Sequence, residues 1–322
     1  YRLAFLVDTG NEHLQREMEV SIQAGEIVGI LYDAFSKRYG ENPTAEDLKS
    51  LNVLCVRLVF CLYAEDAGIF GRHGMFHDYL AANDTHHTRK ALIELFQVLD
   101  TKPEEREKFL EVELAQFPYV NGGLFAGEKI EVPPFTDEMR DLLLNKASSE
   151  FNWSEISPTI FGAVFESTLN PETRRLGGMH YTSIENIHKV IDPLFLDDLQ
   201  SELAAICELT VERTRKKKLE EFQQKLASLV FLDPACGSGN FLTETYLSIR
   251  RLENRVISEL QHGQIVFGGL ESFSPIKVSI EQFYGIEIND FAATVAKTAL
   301  WIAESQMMKQ TEDIVHMSLD FL

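Results

Sequence analysis

The fold is decided by the stretch Phe231-Leu232-Asp233-Pro234-Ala235-Cys236-Gly237-Ser238-Gly239-Asn240-Phe241-Leu242. An apolar run leads into a glycine-rich turn, and a second apolar run follows it. Because open α/β folds bind ligands at the carboxyl ends of their strands, this order predicts a strand over residues 228–233, a ligand-binding turn and a helix that begins at Asn240. Gly237 and Gly239 have no Cβ atom, so the turn can adopt positive φ and approach a ligand closely.

The residues of this turn narrow the class of ligand. A phosphate-binding P-loop requires a lysine, and the turn contains none. A dinucleotide-binding fold places a third glycine where this chain has Leu242. The turn therefore favours a cofactor that contains adenosine but no phosphate.

A second strand is predicted over residues 283–289, followed by a helix over residues 290–303. The strand ends near Glu287, whose carboxylate can accept hydrogen bonds from both hydroxyls of a ribose. An acid at this position can also simply cap the next helix. Asp233 and Glu287 lie much further apart in the sequence than the ~20 residues of a dinucleotide fold, which predicts an insertion at residues 264–275.

The glycine turn resembles the S-adenosylmethionine loop of DNA amino-methyltransferases. Upstream, Tyr181-Thr182 precedes a predicted helix over residues 184–195 and resembles the element that contacts the methionine part of the cofactor in the gamma arrangement, although Ser183 as a helix cap would also explain this segment. Enzymes of that arrangement mostly methylate adenine N6. The resemblance implies S-adenosylmethionine as cofactor, bound by Tyr181, Thr182, Asp233, Pro234, Ala235, Cys236, Gly237, Ser238, Gly239, Asn240, Phe241, Glu287 and Ile288.

Within this set the resemblance gives individual roles. Glu287 holds the ribose, Ile288 lies against the adenine ring, and Asp233 orients the loop and the amino group of the cofactor. Cys236 resembles a residue of the cofactor wall rather than a nucleophile, because the nucleophilic cysteine of the cytosine-C5 class follows a proline on a later strand and Cys236 follows Ala235.

No catalytic residue is predicted in this chain. The base-binding element of these enzymes, Asn-Pro-Pro followed by Tyr or Phe, is matched only by Val132-Pro133-Pro134-Phe135, which has Val in the first position and precedes the glycine turn. We interpret it as a turn without a catalytic role. The chain begins at Tyr1 and ends on an apolar segment, so we expect a fragment that binds cofactor but lacks the element that presents a base to it.

The first half of the chain reads as a helical domain. Apolar residues at helical spacing predict helices near residues 11–40, 44–68, 88–99, 103–114 and 137–146. Three phrases resemble the helical spacer of MmeI-like (Type IIG/IIL) restriction-modification proteins, at residues 58–70, 117–125 and 160–167. The resemblance implies an all-α helical spacer over residues 1–150, followed over residues 151–322 by the N-terminal part of an α/β Rossmann-like S-adenosylmethionine-dependent methyltransferase domain. We find no arrangement typical of a nuclease site.

The charge balance argues against a simple DNA-binding face. The chain carries 30 basic and 50 acidic residues, a net charge of −20, whereas a duplex-binding surface is basic. The densest basic run, residues 213–218, is followed by Glu220-Glu221, which favours a solvated helix face. Double-stranded DNA is therefore expected to be held either by domains largely outside this chain or by basic residues gathered on one face.

The remaining composition fits an intracellular protein. The 4 cysteines form no C-x-x-C pair, which favours a reducing cytoplasm and makes zinc unfavourable. His86-His87 is interpreted as a pair of solvated loop residues, and no metal site is expected. No apolar run approaches the ~20 residues of a membrane span.

Together these observations predict a site-specific DNA adenine methyltransferase of a restriction-modification or phage-defence system. Two alternatives remain open. One is a helical protein-interaction module with a non-functional cofactor loop, which the acidic charge would suit. The other is a methyltransferase that acts on a substrate other than DNA.

Overall fold

A computed structural model describes residues 5–120, 124–125, 130–159, 161–162, 182–261 and 275–316. The chain forms two compact units, Tyr1–His180 and Tyr181–Leu322. The division between the units lies between His180 and Tyr181, whereas the sequence predicts that the spacer ends at residue 150. The end of the spacer as a functional domain stays a prediction. The predicted insertion at residues 264–275 and Tyr181 lie outside the described residues, apart from Pro275.

The described part of the first unit is helical, as expected for a spacer. Thr44 begins the second helix as predicted, because its hydroxyl accepts a hydrogen bond from the Asp47 N–H at 3.1 Å and the Asp47 carboxylate accepts one from the Thr44 N–H at 2.9 Å. The helix that begins at Asp137 continues in wider π-helical turns over Leu142–Ser149. The helices are α1 (Phe5–Ser36), α2 (Ala45–Asp66), α3 (Met75–Ala81), α4 (Thr85–Leu99), α5 (Val112–Ala115) and α6 (Asp137–Asp141).

The helix predicted over residues 103–114 is wrong. This segment contains only a 3-10 turn, Pro103–Glu105, and the single turn of α5. The guanidinium of Arg106 organises it instead, by donating to the carbonyls of Thr101 at 3.0 Å and Phe117 at 2.8 Å. These bonds fix the chain in an irregular path that helical periodicity does not reveal. The short helix α3 was not predicted.

The core of the first unit is built around α2. Nearly every side chain from Leu51 to Ala64 is buried, so this helix is apolar on all sides and lies inside the unit. Its few buried charges are paired with backbone groups. Arg57 donates to the carbonyl of Leu124 at 3.0 Å, and Glu65 accepts from the backbone N–H of His77 at 2.6 Å.

The second unit contains a small parallel sheet that packs against helices. Phe231 lies opposite Phe283, and Asp233 lies opposite Gly285. Only these two short strands occur among the described residues, so the larger Rossmann-like sheet stays a prediction. The elements are α7 (Ile184–Ile191), α8 (Asp197–Cys207), α9 (Glu212–Ser228), β1 (Phe231–Asp233), α10 (Asn240–Gln261), β2 (Phe283–Gly285) and α11 (Asp290–Val315).

Several predicted boundaries shift in this unit. The strand expected from residue 228 begins at Phe231. The preceding helix α9 runs to Ser228, and the buried side chain of Leu226 fixes its last turn in the core. The second strand stops at Gly285 instead of reaching residue 289. The helix expected over residues 184–195 passes at Ile191 into π-helical turns and then into α8, whereas α11 extends to Val315. The start of α10 at Asn240 is as predicted.

The two faces of the sheet differ. On one face the rings of Phe231 and Phe283 stack with centroids 5.0 Å apart and pack against the helical core. On the other face Leu232 and Tyr284 are 61% and 54% exposed, and Val230 and Ile286 on the same side are exposed as well. The sheet is therefore covered by the described helices on one side only.

Candidate cofactor site

The glycine turn is held at the carboxyl ends of both strands. Asp233 ends β1, and its carboxylate accepts a hydrogen bond from the Ala235 N–H at 3.0 Å. The carbonyl of Asp233 accepts from the Ile286 N–H at 2.9 Å, and the Ile286 carbonyl accepts from the Cys236 N–H at 3.1 Å. The turn is thus joined by backbone bonds to the segment that follows β2.

The two glycines are required for different reasons. Both have positive φ, +54° at Gly237 and +83° at Gly239, which L side chains rarely adopt. A Cβ atom at Gly239 would lie 2.8 Å from the Cβ of Ala296 in α11, whereas one at Gly237 would meet no atom within 4 Å. Gly239 therefore allows α10 to approach α11, and Gly237 leaves the turn open on its outer side.

A third glycine of the site was not predicted from the sequence. A Cβ atom at Gly285 would lie 2.6 Å from the Sγ of Cys236 and 3.1 Å from Leu242. Only glycine lets β2 end so close to the turn. A glycine within the run predicted as the second strand is a signal that could have identified this close approach.

Glu287 connects the end of β2 to the glycine turn. Its Oε2 accepts from the Gly237 N–H at 2.9 Å and its Oε1 from the Asn289 N–H at 2.8 Å. The hydrogen bond from Asn289, with further bonds from Gly237 and Ile288, lowers the pKa of Glu287 against the opposing effect of burial. The carboxylate is ionised at neutral pH, and each of its oxygens carries a second lone pair that can accept a hydrogen bond.

The residues around this carboxylate differ in their surroundings. Ile288 is 97% exposed, and Pro234 and Ala235 are exposed too. Ser238 is buried and Asn240 is half-buried, whereas the ring of Phe241 packs against the helical core. The predicted contact of Phe241 with a cofactor therefore competes with a packing role and stays a prediction.

Cys236 has the properties of a wall residue. Its side chain is half-buried, and burial, followed by the charges of Asp233 and Glu287, raises the pKa of its thiol. The thiol is protonated at neutral pH, which does not favour nucleophilic attack. All four cysteines of the chain are free of disulfides.

The upstream element is described in part. Thr182 is half-buried and directly precedes Ser183, the N-cap of α7, whose hydroxyl accepts from the Asn186 N–H at 3.3 Å. The cap predicted at Ser183 is thereby confirmed. The role of Tyr181 and Thr182 toward a cofactor stays a prediction.

Three other segments singled out in the sequence have structural contacts. In the Val132-Pro133-Pro134-Phe135 segment, the carbonyls of Val132 and Pro134 accept hydrogen bonds from Arg89 and Arg38. The expectation that His86-His87 lies in a loop is wrong, since both residues are in the first turn of α4 and His87 contacts Asp84 at 2.7 Å. In the basic run, Lys217 and Lys218 pair with Glu221 on an exposed side of α9.

Two kinds of feature do not occur in the described part of the chain. None of its helices combines the length and the apolar character that crossing a bilayer requires. The same residues contain no group of three or more His, Cys, Asp or Glu side chains arranged to hold a metal ion.

Comparison with known proteins gives matches in both units. The family described as MmeI, helicase spacer domain, matches residues 49–125, and the one described as MmeI, DNA-methyltransferase domain, matches residues 209–322. DNA methyltransferase A of Bacillus subtilis (strain 168) is 40% identical over 317 residues, which cover 97% of this chain and 34% of that protein. A putative type II restriction enzyme and methyltransferase of Methanocaldococcus jannaschii is 25% identical over 308 residues, covering 81% of this chain and 25% of that protein.

A solved structure is also similar. It is that of the Type IIL restriction-modification enzyme MmeI in complex with DNA, with a TM-score of 0.76 and 38% identity. The match covers 94% of this chain and 38% of the other. The chain thus spans between a quarter and two fifths of the length of the proteins it matches.

Proposed function

Since this chain belongs to the MmeI-like family of restriction-modification methyltransferases, we propose that it carries the S-adenosylmethionine site of an enzyme that methylates adenine N6 in a specific DNA sequence. The observation that supports this most directly is the bond of 2.9 Å from the Gly237 N–H to Glu287, which joins the glycine turn to the strand-end acid. The likeness to relatives named as DNA methyltransferases supports DNA as the substrate.

The described residues fit the chemistry of the proposed cofactor. An ionised Glu287 offers acceptors to the two ribose hydroxyls, and the exposed side chain of Ile288 offers an apolar surface to an adenine ring. Open space beside Gly237 leaves room for the ligand. The turn contains no lysine or arginine, and S-adenosylmethionine has no phosphate that would require one. When bound, S-adenosylmethionine supplies a methyl group on a positively charged sulfur.

In the proposal, these residues contribute to methyl transfer by positioning the cofactor. Glu287 and the turn from Asp233 to Gly239 fix the adenosine part, and in the proposal Tyr181 and Thr182 fix the methionine part. Holding two reactants in the productive geometry replaces a bimolecular encounter by a unimolecular step, and this effect alone can lower a reaction barrier by about 7–11 kcal/mol. The target base must be taken out of the duplex for this purpose.

The net charge of −20 supports cofactor binding by this chain and DNA binding by other parts of the enzyme. In the proposal, the residues that bind DNA and the flipped base lie largely in regions that correspond to the unmatched parts of the longer relatives. Inside the described chain, the paired lysines of α9 support this view, because Glu221 already neutralises part of that basic run. A cytoplasmic location completes the proposal and is supported by the four free thiols.

Calorimetry with S-adenosylmethionine tests the site. We expect saturable binding by the chain and binding weaker by about 10-fold or more for Glu287→Gln, because a hydrogen bond to a charged group contributes about 1.5–3 kcal/mol. Gly237→Asp should bind nothing detectable, since it places a carboxylate beside Glu287 at a positive φ. Glu185→Gln on the exposed side of α7 is the matched control and should bind like the wild type.

The outcomes separate the candidate functions, provided that unfolding midpoints show all four proteins to be folded. Absence of binding by the wild-type chain would favour the helical interaction module with a non-functional loop. For a longer protein that includes these residues, the test is the nucleoside composition of treated DNA. N6-methyladenine is expected, whereas N4-methylcytosine, or methyl transfer only to other molecules, would contradict the proposal.

A further inference from the structure

His188 lies between two carboxylates that belong to different helices. Its Nδ1 is 2.7 Å from Asp192 Oδ1, at the end of α7, and its Nε2 is 3.2 Å from Glu244 Oε1, in α10. A carboxylate only accepts hydrogen bonds, and a neutral imidazole has only one N–H to donate. Both contacts are satisfied together only when the ring carries two protons and a positive charge.

The surroundings of the ring favour this charge. The side chain of Glu244 is 3% exposed and that of His188 is 29% exposed, so their interaction is partly shielded from water. The hydrogen bond to Glu244, opposed by burial and reinforced by Asp192, raises the pKa of His188 to about 9. Arg251 also contacts Glu244, at 3.1 Å, and adds a second positive charge beside this carboxylate.

The positions of the two helices give the contact a functional meaning. Helix α7 begins directly after Thr182 and Ser183, and α10 begins directly after Gly239. His188 is in the second turn of one helix, and Glu244 is in the second turn of the other. On the same two helices, Ile187 and Ile191 are buried in the same apolar cluster as Leu247. The charged contact therefore joins the two segments to which opposite ends of the cofactor are assigned.

We propose that protonated His188 is a positioning residue of the cofactor site, which clamps the helix after Tyr181-Thr182 against the helix after the glycine turn and so makes cofactor affinity depend on its charge. This inference rests on the proposed function. His188 has both ring nitrogens engaged by carboxylates, so its role is to hold the two helices in register rather than to touch the ligand. Loss of the charge also leaves the buried Glu244 with less compensation, which loosens the start of α10.

The test is the affinity for S-adenosylhomocysteine between pH 6.5 and 10, measured by calorimetry on the wild-type chain and on His188→Gln. This ligand lacks the alkali-sensitive sulfonium. We expect wild type to bind about 10-fold more tightly at pH 7, from the loss of a charged hydrogen bond in the variant. The ratio of the two affinities should fall toward unity as the pH rises through about 9. Titration of the amino group of the ligand is common to both proteins and cancels in this ratio.

Two further variants distinguish positioning from a general loss of stability. Lys189→Ala, on the next position of α7, removes an exposed pair with Glu185 and should leave the affinity and its pH profile unchanged. In the double variant His188→Gln/Glu244→Gln, the second change should cost no further affinity, because the contact is already lost. The unfolding midpoint of each protein is measured at each pH, so that the folded fraction is known.

The possible results are distinct. A wild-type chain that binds no ligand at any pH contradicts the proposed function and the inference together. A wild-type chain that binds, with His188→Gln equal in affinity and pH profile, contradicts the inference alone. A proton NMR titration gives an independent reading without ligand, since a His188 ring signal that titrates near pH 6.5 would overturn the charged clamp.

Discussion

Replacing the two glycines of the turn by alanine, one at a time, separates backbone strain from steric overlap. Both residues have positive φ, so each alanine adopts a left-handed conformation that costs about 1–2 kcal/mol. Only at Gly239 does the new Cβ meet another atom, 2.8 Å from the Cβ of Ala296 and 3.1 Å from its α-carbon. Overpacking of this kind costs a further ~1–3 kcal/mol.

We therefore expect Gly237→Ala to lower the free energy of unfolding by about 1–2 kcal/mol and Gly239→Ala by about 2–5 kcal/mol. The assay is urea unfolding of the two variants and the wild type at the same pH. The slope of the free energy against denaturant should stay the same in all three, because the exposed surface does not change.

A double variant tests which atoms overlap. Ala296→Gly removes the Cβ nearest to Gly239 and by itself costs about 1 kcal/mol, as a glycine inside a helix. Combined with Gly239→Ala it should cost less than the sum of the two single changes, although the backbone of residue 296 still lies 3.1 Å from the new methyl group and retains part of the strain. Equal losses for Gly237→Ala and Gly239→Ala, or strict additivity in the double variant, would refute the steric argument.

Two other predictions concern the buried charges of the second unit. Glu253 is fully buried, contacts Arg250 and accepts a hydrogen bond from the backbone N–H of Lys277 at 2.7 Å. Glu253→Gln should cost about 3–5 kcal/mol in urea unfolding, because the buried Arg250 loses the carboxylate that it contacts. The exposed Arg255→Ala on the same helix should cost under ~0.5 kcal/mol, and equal losses would contradict this. Burial raises the pKa of Glu304 to about 7, so folding favours its protonated form and stability should fall as pH rises from about 4.5 to about 7, by at most ~1.4 kcal/mol per pH unit. Glu304→Gln should remove that slope, and an unchanged slope in the variant would assign it to other groups.

The sequence predicted features that depend on local chemistry. The cap at Thr44, the cap at Ser183 and the helix start at Asn240 each follow from a few neighbouring residues, and all were found in place. The sequence also predicted the two strands themselves, and in the structure they pair in parallel. The helix caps and the helix start depend on neighbouring residues, so they can be recognised in the sequence alone.

The features that were missed depend on individual side-chain contacts rather than on local sequence patterns. Arg106 binds carbonyls of Thr101 and Phe117 and so replaces a predicted helix by an irregular segment. Gly285 is required because the side chains of Cys236 and Leu242 lie against it. His188 and Glu244 are 56 residues apart, and no spacing rule joins them. Periodicity and motifs carry no information on such pairs.

The face of the sheet that the described helices leave exposed has a consequence for handling the protein. Leu232 and Tyr284 present an apolar patch beside strand edges, a surface that favours self-association. Near neutral pH the net charge of −20 keeps molecules apart by mutual repulsion. That repulsion vanishes as the solution approaches the isoelectric point near 4.9. Solubility of this chain therefore depends on electrostatic repulsion, and acid or high salt should promote its self-association.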